Sequence, residues 1–399
     1  MILQKQKIII IGGGILGLSI ARKFLIKGFK NITILEKEND IAKHQSLKNS
    51  GVMHSGLYYA PNSLKANLCR KGISLMKNYC TSNAVNWEEC GKIVVATNDN
   101  ELNRLESLYR RGKKNNLKGL KMLNSKEVNK IEPYVNAKAG ILVPEESIVN
   151  YKEVAMKYQE EINSLGGEIR LLSKVIRINH FSNFEELVLD NGDTIKGQII
   201  ISTAGLYSDK ITKMLGINIK NRQTLPFRGE YYLLKPEYQY LVKNLIYPVP
   251  NPQLPFLGVH FTRMINGGVE AGPNAVLAMA REGYRWSNIN TAELFEAISY
   301  EGLQKFIYKY PLITSGEVIR SLSKYLFVKS LNKLIPDIRS NMIERGPSGI
   351  RAQLMKSDGT LEQDFDIRKK GSLISILNAP SPAATSSLSI SEYIVNALI

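Results

Sequence analysis

IIIIGGGILGLSIARKFLIKGFKNITILE, residues 8–36, is the stretch that decides how the rest of the chain is read. An apolar run, Ile8 to Ile11, meets three glycines, then a helical pattern, then a second apolar run that ends at Glu36. That order predicts a strand, a tight turn, a helix and a second parallel strand. Gly12, Gly14 and Gly17 keep the G-x-G-x-x-G spacing. The first permits the tight turn, the second lets backbone approach a pyrophosphate, and the third lets the helix pack closely on the strand. The helix start offers N–H groups and a positive dipole end to phosphates. Glu36 is placed to accept hydrogen bonds from a ribose. A glycine turn without a ligand is the blander reading. The strand before, the helix after and the acid at the right distance favour a bound dinucleotide.

At 399 residues the chain has room for two domains, or one large domain with insertions. Its 44% apolar and 22% charged content are ordinary for a globular protein, but a formal charge of +17 is not. Basic surface suits nucleic acid, an anionic membrane leaflet or an acidic substrate. Plain abundance of surface Lys is the favoured reading, with membrane attraction second. No nucleic-acid partner is expected: the basic run Arg104, Arg110, Arg111, Lys113, Lys114, Lys118 and Lys121 has only Tyr109 as a stacking ring. Cys69, Cys80 and Cys90 form no C-x-x-C pair and no metal spacing, so reduced thiols and no metal are expected. No signal peptide and no membrane-spanning run is visible, which predicts a cytoplasmic protein, with peripheral association at the inner face of the membrane as the second reading.

Beyond Glu36, residues 37–61 form a long polar loop carrying two of the four His. Such loops are more often functional than ornamental. Helices are predicted over 63–79, 99–115, 126–133, 151–165, 292–308, 315–334 and 381–398, with a further helix running to Leu215. Strands are predicted over 91–97, 168–180, 184–190, 195–202, 223–234, 348–354, 364–368 and 373–377, and mostly strand over 257–272. Parallel patterns occur at both ends of the chain and an antiparallel, aromatic-rich pattern lies between. The expected fold class is therefore mixed α/β: a discontinuous Rossmann-like nucleotide domain (1–80, 145–220 and 345–399) with an inserted antiparallel-sheet substrate domain (81–144 and 221–344).

Several segments carry a family resemblance. They are GGGILGLSIA (12–21), HQSLKNSGVMHSGLYYAPNSLKANLC (44–69), STAGLYSD (202–209), FRGEYYLLKPE (227–237), IYPVPNP with PFLGVHFT (246–262), GPNAVLA with REGY (272–284), SGIRAQ (348–353) and NAPSPAATSSL (378–388). Together they resemble the FAD-dependent, amino-acid-oxidase-like (glycine-oxidase-type) superfamily, and within it the L-2-hydroxyglutarate oxidase/dehydrogenase family, over nearly the whole chain. The resemblance implies bound FAD and oxidation of L-2-hydroxyglutarate to 2-oxoglutarate, with electrons leaving to a quinone, an electron-transfer chain or oxygen. Two departures stand out. Leu47-Lys48 replaces a Gly-His that the family commonly has, and one Arg expected before the Ile-Arg-Ala-Gln segment is missing at Glu344–Gly349.

Such a reaction needs a base for the hydroxyl proton, a clamp for a 2-hydroxy dicarboxylate, and a hydride path to the flavin. His54 and His260 are the candidate bases. Arg351, then Arg228, then Arg281 are candidate carboxylate clamps, because the guanidinium fork matches a carboxylate; the alternative for each Arg is an ion pair between domains. Tyr58, Tyr59, Tyr247 and Tyr284 are candidate substrate hydrogen-bonders, with core packing as the alternative. FAD contacts are expected from Gly12, Gly14, Gly17 and Glu36, then Lys43 and His44, then Val175 on the adenine side, Ala204 and Gly205. Backbone N–H groups of Ala383, Ala384 and Thr385, at the start of the closing helix, are expected at the flavin O2 edge. An oxidase of glycine or another secondary amine, and a flavin-binding protein without oxidase activity, are the rival readings.

Overall fold

A computed structural model of the chain describes residues 4–251 and 257–399. Residues 252–256, within the IYPVPNP–PFLGVHFT resemblance, lie outside the described residues. The nucleotide motif builds a six-stranded sheet. Its order is Asp366–Lys370, Leu373–Asn378, Ile199–Ser202, Ile8–Ile11, Ile32–Leu35 and Glu168–Arg170. All neighbours are parallel except the first pair. Strand side chains alternate between faces. Ile8 and Ile10 meet the helices Ile15–Ile26, Tyr151–Ser164 and Ser387–Asn396 on one face. Ile9 and Ile11 meet the three-stranded meander Val175–His180, Glu185–Leu189 and Thr194–Gly197 on the other. Burial on both faces explains why the strand is four isoleucines in a row, with no polar alternation.

The second large layer is a nine-stranded, mostly antiparallel sheet. It runs from Val276–Leu277 through Arg222–Leu234, Val269–Gly272, His260–Arg263, Leu245–Pro248, Lys92–Ala96 and Ala139–Val143 to Lys121–Asn124. Ile343–Lys356 pairs along nearly the whole of Arg222–Leu234. The domain division expected at 345 therefore falls inside a strand of this sheet. A small sheet of Val52–Met53, Ser147–Val149 and Trp87–Glu88 lies within the segments that join the two layers.

Some predicted elements divide. Residues 168–180 form two strands in different sheets, as do 195–202, where Gln198 leaves the meander and donates its N–H to Lys7 O. Residues 292–308 and 315–334 form four short helices, Thr291–Ile298, Glu301–Lys309, Pro311–Leu322 and Lys324–Leu331. Ser323 caps the last with its side chain, which is why the periodicity continues through a chain that turns. The closing helix begins at Ser387, six residues later than expected, because residues 381–386 form a turn around Pro382.

One buried ion pair joins the layers. Arg281, just past Val276–Leu277, reaches Asp209 at the start of helix Ser208–Met214 through bonds of 2.7 and 2.9 Å, with both residues at most 3% exposed. It also donates to Leu206 O at 2.5 Å. Replacing Arg281 by Met strands a buried carboxylate, so Arg281→Met should destabilise the fold by about 3–5 kcal/mol. The double change Arg281→Met/Asp209→Leu should lose less. Denaturant titration of the two variants checks both expectations.

Candidate active site

The glycine turn is built by close contact. Gly12 has φ +109°, and a Cβ there would stand 2.7 Å from Thr203 O. At Gly17 a Cβ would stand 2.0 Å from Gly12 O. A Cβ at Gly14 would approach only Ser46 Oγ, at 3.2 Å. Gly14, Ile15 and Leu16 open onto a cavity of about 740 Å³. The helix that starts there has no acidic residue in its first turn, so its positive end is left for a ligand. Glu36 is fixed beside the turn: Gly13 N–H donates to Oε2 at 2.7 Å and Glu38 N–H to Oε1 at 2.9 Å. Glycine backbone, an uncompensated helix start and a strand-end carboxylate fit the pyrophosphate and ribose of FAD. Gly205, at φ +52°, lines the same cavity beside Thr203.

Of the other expected cofactor contacts, Lys43, His44, Val175 and Ala204 do not line this cavity. His44 bonds Tyr284 Oη and Glu38 Oε1, each at 3.0 Å. Lys37 pairs with both Glu38 and Glu282 in the same network. His44 and Tyr284 are thus partners in a tie between loop and substrate layer, and neither lines the cavity. Lys43 turns outward to Asn39 Oδ1 at 2.5 Å. Val175 is turned into the core between sheet and meander, and Ala204 packs against the same cluster. Ala383, Ala384 and Thr385 do line the cavity. The N–H of Ala383, however, bonds Pro380 O at 3.0 Å within the turn, so it is not a donor to the flavin. Thr385 Oγ1 accepts the His54 N–H at 3.1 Å and touches Tyr151 Oη at 3.0 Å; its side chain holds the His54 loop.

At the other end of the cavity, register sets the chemistry. Met53 pairs with Ser147, which brings His54 next to Glu146. His54 Nδ1 lies 3.5 Å from Glu146 Oε2, longer than a formed hydrogen bond. The same oxygen is 2.9 Å from Lys92 Nζ, and Lys92 and Glu146 are 0% and 1% exposed. Ser55 donates from N–H and Oγ to Glu146 Oε1 at 3.1 and 2.8 Å. Burial would raise the Glu146 pKa, but Lys92 and His54 outweigh it and hold the carboxyl well below the usual range. Burial lowers the His54 pKa, against the pull of Glu146. His260 is pushed down to about 3, first by burial and then by the charges of Arg351 and Lys92, against the Gly258 carbonyl. Its Nδ1 is 3.0 Å from Gly258 O, so Nδ1 carries the proton and Nε2 is an acceptor. Both rings line the cavity and are neutral at physiological pH.

Arg351, Tyr58, Tyr59 and Tyr247 also line the cavity. Tyr58 Oη is buried with no hydrogen-bond partner among the described residues, which suits a polar ligand group. Arg228 does not line it. Its guanidinium is fully buried, 3.2 Å from Glu230 and 4.3 Å from the Trp286 ring centre, and it donates to Gly283 O. Arg281 belongs to the Asp209 pair. These two Arg are structural ion pairs because acids from their own layer and its neighbour meet them first. Lys48, at one of the family departures, lines the cavity with its ammonium 3.3 Å from the Tyr284 ring centre. Lys65, Lys92 and Glu146 were not singled out from sequence. Lys65 lines the cavity, buried, and burial lowers its pKa to about 8 against the pull of Asp364. A Lys inside an apolar strand start (GKIVVAT) was the available signal for Lys92; Glu146 in PEES resembles any loop acid.

The FAD dependent oxidoreductase (DAO) family model matches residues 7–397. An L-2-hydroxyglutarate dehydrogenase of Indibacter alkaliphilus is 48% identical over 385 residues, 96% of this chain and 96% of that one. A mitochondrial L-2-hydroxyglutarate dehydrogenase of Nematostella vectensis is 41% identical, over 98% of this chain and 90% of its own. Among solved structures, FAD-bound, dithionite-reduced L-alpha-glycerophosphate oxidase from Mycoplasma pneumoniae is similar in fold, with TM-score 0.78 at 22% identity over 99% of this chain and 95% of that one. A family match of this length, on a chain whose glycine turn opens into a cavity walled by neutral histidines, places the chain in the family of FAD-dependent oxidoreductases.

Proposed function

We propose that the chain oxidises L-2-hydroxyglutarate to 2-oxoglutarate. The observation that carries this reading is the far wall of the FAD cavity, where His54, His260 and Arg351 converge, together with relatives of that activity at 48% and 41% identity. Bound FAD supplies the hydride acceptor. Arg351 holds a substrate carboxylate, since its fork matches one. Lys65 is a second cation on the cavity, itself buried, and takes the other carboxylate. Tyr58 and Tyr247 supply hydrogen bonds that fix the hydroxyl. His54 takes the hydroxyl proton. The choice between the two rings is electrostatic: a carboxylate stands behind His54, whereas His260 has a carbonyl behind it and two cations in its field. Burial and Lys92 oppose an imidazolium at both rings, but at His54 a carboxylate offsets part of that cost and at His260 none does.

Anaerobic mixing with a panel of L- and D-2-hydroxy acids, glycine and sarcosine tests the reading. Bleaching of the flavin by L-2-hydroxyglutarate is expected; bleaching by glycine or sarcosine alone would favour the amine-oxidase rival. Arg351→Lys should weaken substrate binding by about 1–3 kcal/mol, from the loss of a bidentate contact to a charged group, with FAD content unchanged. His54→Ala should slow flavin reduction by about 10²–10⁴-fold. A base acts when neutral and both histidines have lowered pKa values. The reduction rate should accordingly fall only at a pH below the ordinary imidazole value, as pH drops through the lowered His54 value.

The acceptor that reoxidises the flavin is proposed to be reached at a membrane face. No helix among the described residues is long and apolar enough to cross a membrane. The four short helices from Thr291 to Leu331 nevertheless carry Phe295, Tyr308, Leu312, Leu322 and Tyr325 at 64–89% exposure. Lys305, Lys309, Lys324 and Lys329 lie on the same helices. Exposed apolar side chains beside Lys suit the interface of an anionic leaflet. Phosphatidylglycerol vesicles should float the protein in low salt, and Tyr308→Glu/Leu312→Glu should stay behind while keeping its anaerobic reduction rate. Equal flotation of that variant would exclude this surface.

A further inference from the structure

Lys92 is the unusual group in this site. A lysine with no exposure at all is rare unless it is paired, and this one has two sets of neighbours. On one side its ammonium is 2.9 Å from Glu146, whose same oxygen faces His54. On the other it sits 4.2 Å from the ring centre of Tyr247, and that ring stacks on His260 at 3.9 Å. The topology causes this. Lys92 opens the strand Lys92–Ala96, which pairs in parallel with Leu245–Pro248, so Tyr247 lies on the adjacent strand. Gly91 N–H bonds Glu146 O at 2.9 Å and fixes the acid at the same strand end.

We propose that Lys92 and Glu146 are positioning residues that set the proton affinity of His54, with Lys92 serving as the common cation of both histidines. The proposal rests on the reading of His54 as base. Glu146, the acid facing Nδ1 at 3.5 Å, favours the proton on that nitrogen and so leaves Nε2 as the acceptor. When the substrate O–H bond breaks, the N–H bond forms at Nε2, and the ring becomes a cation facing a carboxylate. Lys92 keeps that carboxylate ionised before the proton arrives, so no proton is taken up by Glu146 instead. The same ammonium opposes a second proton on the wall, at His260. Other groups facing His54 and Glu146 are uncharged or distant in effect: Tyr58, Tyr59 and Tyr247 have phenols held neutral by burial, as does the Cys69 thiol. Thr385 and Tyr151 meet the His54 backbone side. Arg351 and Lys92 are the cations acting on His260.

The chain has four histidines, so ring-labelled protein gives few signals, and loss of one signal in His54→Ala assigns it. In the FAD-loaded protein, Glu146→Gln removes the carboxylate and leaves the ammonium; the His54 titration should move down by at least about one pH unit, a tenfold change in proton affinity. Lys92→Met removes the ammonium; the titration should move up. Shifts of opposite sign are a signature that loss of packing would not give. Glu146→Asp should recover part of the shift. Both single changes strand a buried charge, so the double change Lys92→Met/Glu146→Gln, with neither charge left, is the control for folding. It should load FAD, return the His54 titration toward the parent value and still reduce its flavin at least about tenfold more slowly, with smaller change in substrate Kd. Shifts of one sign, no shift, or a double variant reduced at the parent rate would overturn the proposal. Failure of the parent protein to be bleached by any 2-hydroxy acid would instead defeat the functional reading, while the opposite titration shifts would still stand or fall on their own.

Discussion

The contact between Gly17 and the carbonyl of Gly12 is the constraint on which the structure depends. No side chain fits between them, so the first helix lies against its own strand. That contact sets the helix start at the mouth of the cavity. It also lets Thr203 Oγ1 reach within 2.9 Å of Gly12 O from the neighbouring strand, which fixes the second small-residue turn beside the first. The two turns face one cavity because the strands that carry them are adjacent and parallel. Everything farther along, from the His54 loop to Arg351, is placed relative to this pair of turns.

The opening strand, helix and acid were legible in the residues themselves, because each has one local cause: a run of isoleucines, a glycine spacing, a strand end. The same holds for the helix over 64–82, whose periodicity is intact and whose start Ser63 caps, and for the helix over 99–114, whose periodicity alone marks it. Sequence was less informative where one strand pattern serves two sheets. Residues 195–202 alternate correctly for a single strand, and only the bend at Gln198 divides them. In the site, legibility followed residue chemistry. His54 and Arg351 could be named as candidates because few other roles suit them. Arg281 and Arg228 carry the same chemistry and are drawn to acids instead, a choice that depends on partners 72 residues away in one case and two in the other. Glu146 was invisible for the converse reason: nothing in its neighbourhood along the chain marks it, and its importance comes from pairing of Met53 with Ser147.

The two buried ion pairs illustrate different uses of the same interaction. Arg281 and Asp209 meet in a bidentate arrangement, with Leu206 O accepting from the same guanidinium and Glu296 3.6 Å away. Such a pair is closed, and it acts as a joint between layers. Lys92 and Glu146 are left open on one side, toward an imidazole at 3.5 Å. An open pair in a low-dielectric wall responds strongly to a third charge. That contrast, rather than burial alone, separates a structural from a chemical role here.

The six-stranded sheet has a further consequence for how the protein is made. Its strands come from residues 8–11, 32–35, 168–170, 199–202 and 366–378. During synthesis the second and fourth of these wait on the third and fifth, and the edge of Ile199–Ser202 stays bare until Leu373–Asn378 has left the ribosome. The helix Ser387–Asn396, which covers the first helix, arrives later still. Long-range parallel pairing of this kind is slow and leaves apolar strand exposed meanwhile. The nucleotide motif is translated well before the strands that complete its sheet, so cofactor capture is a late event in the life of the nascent chain.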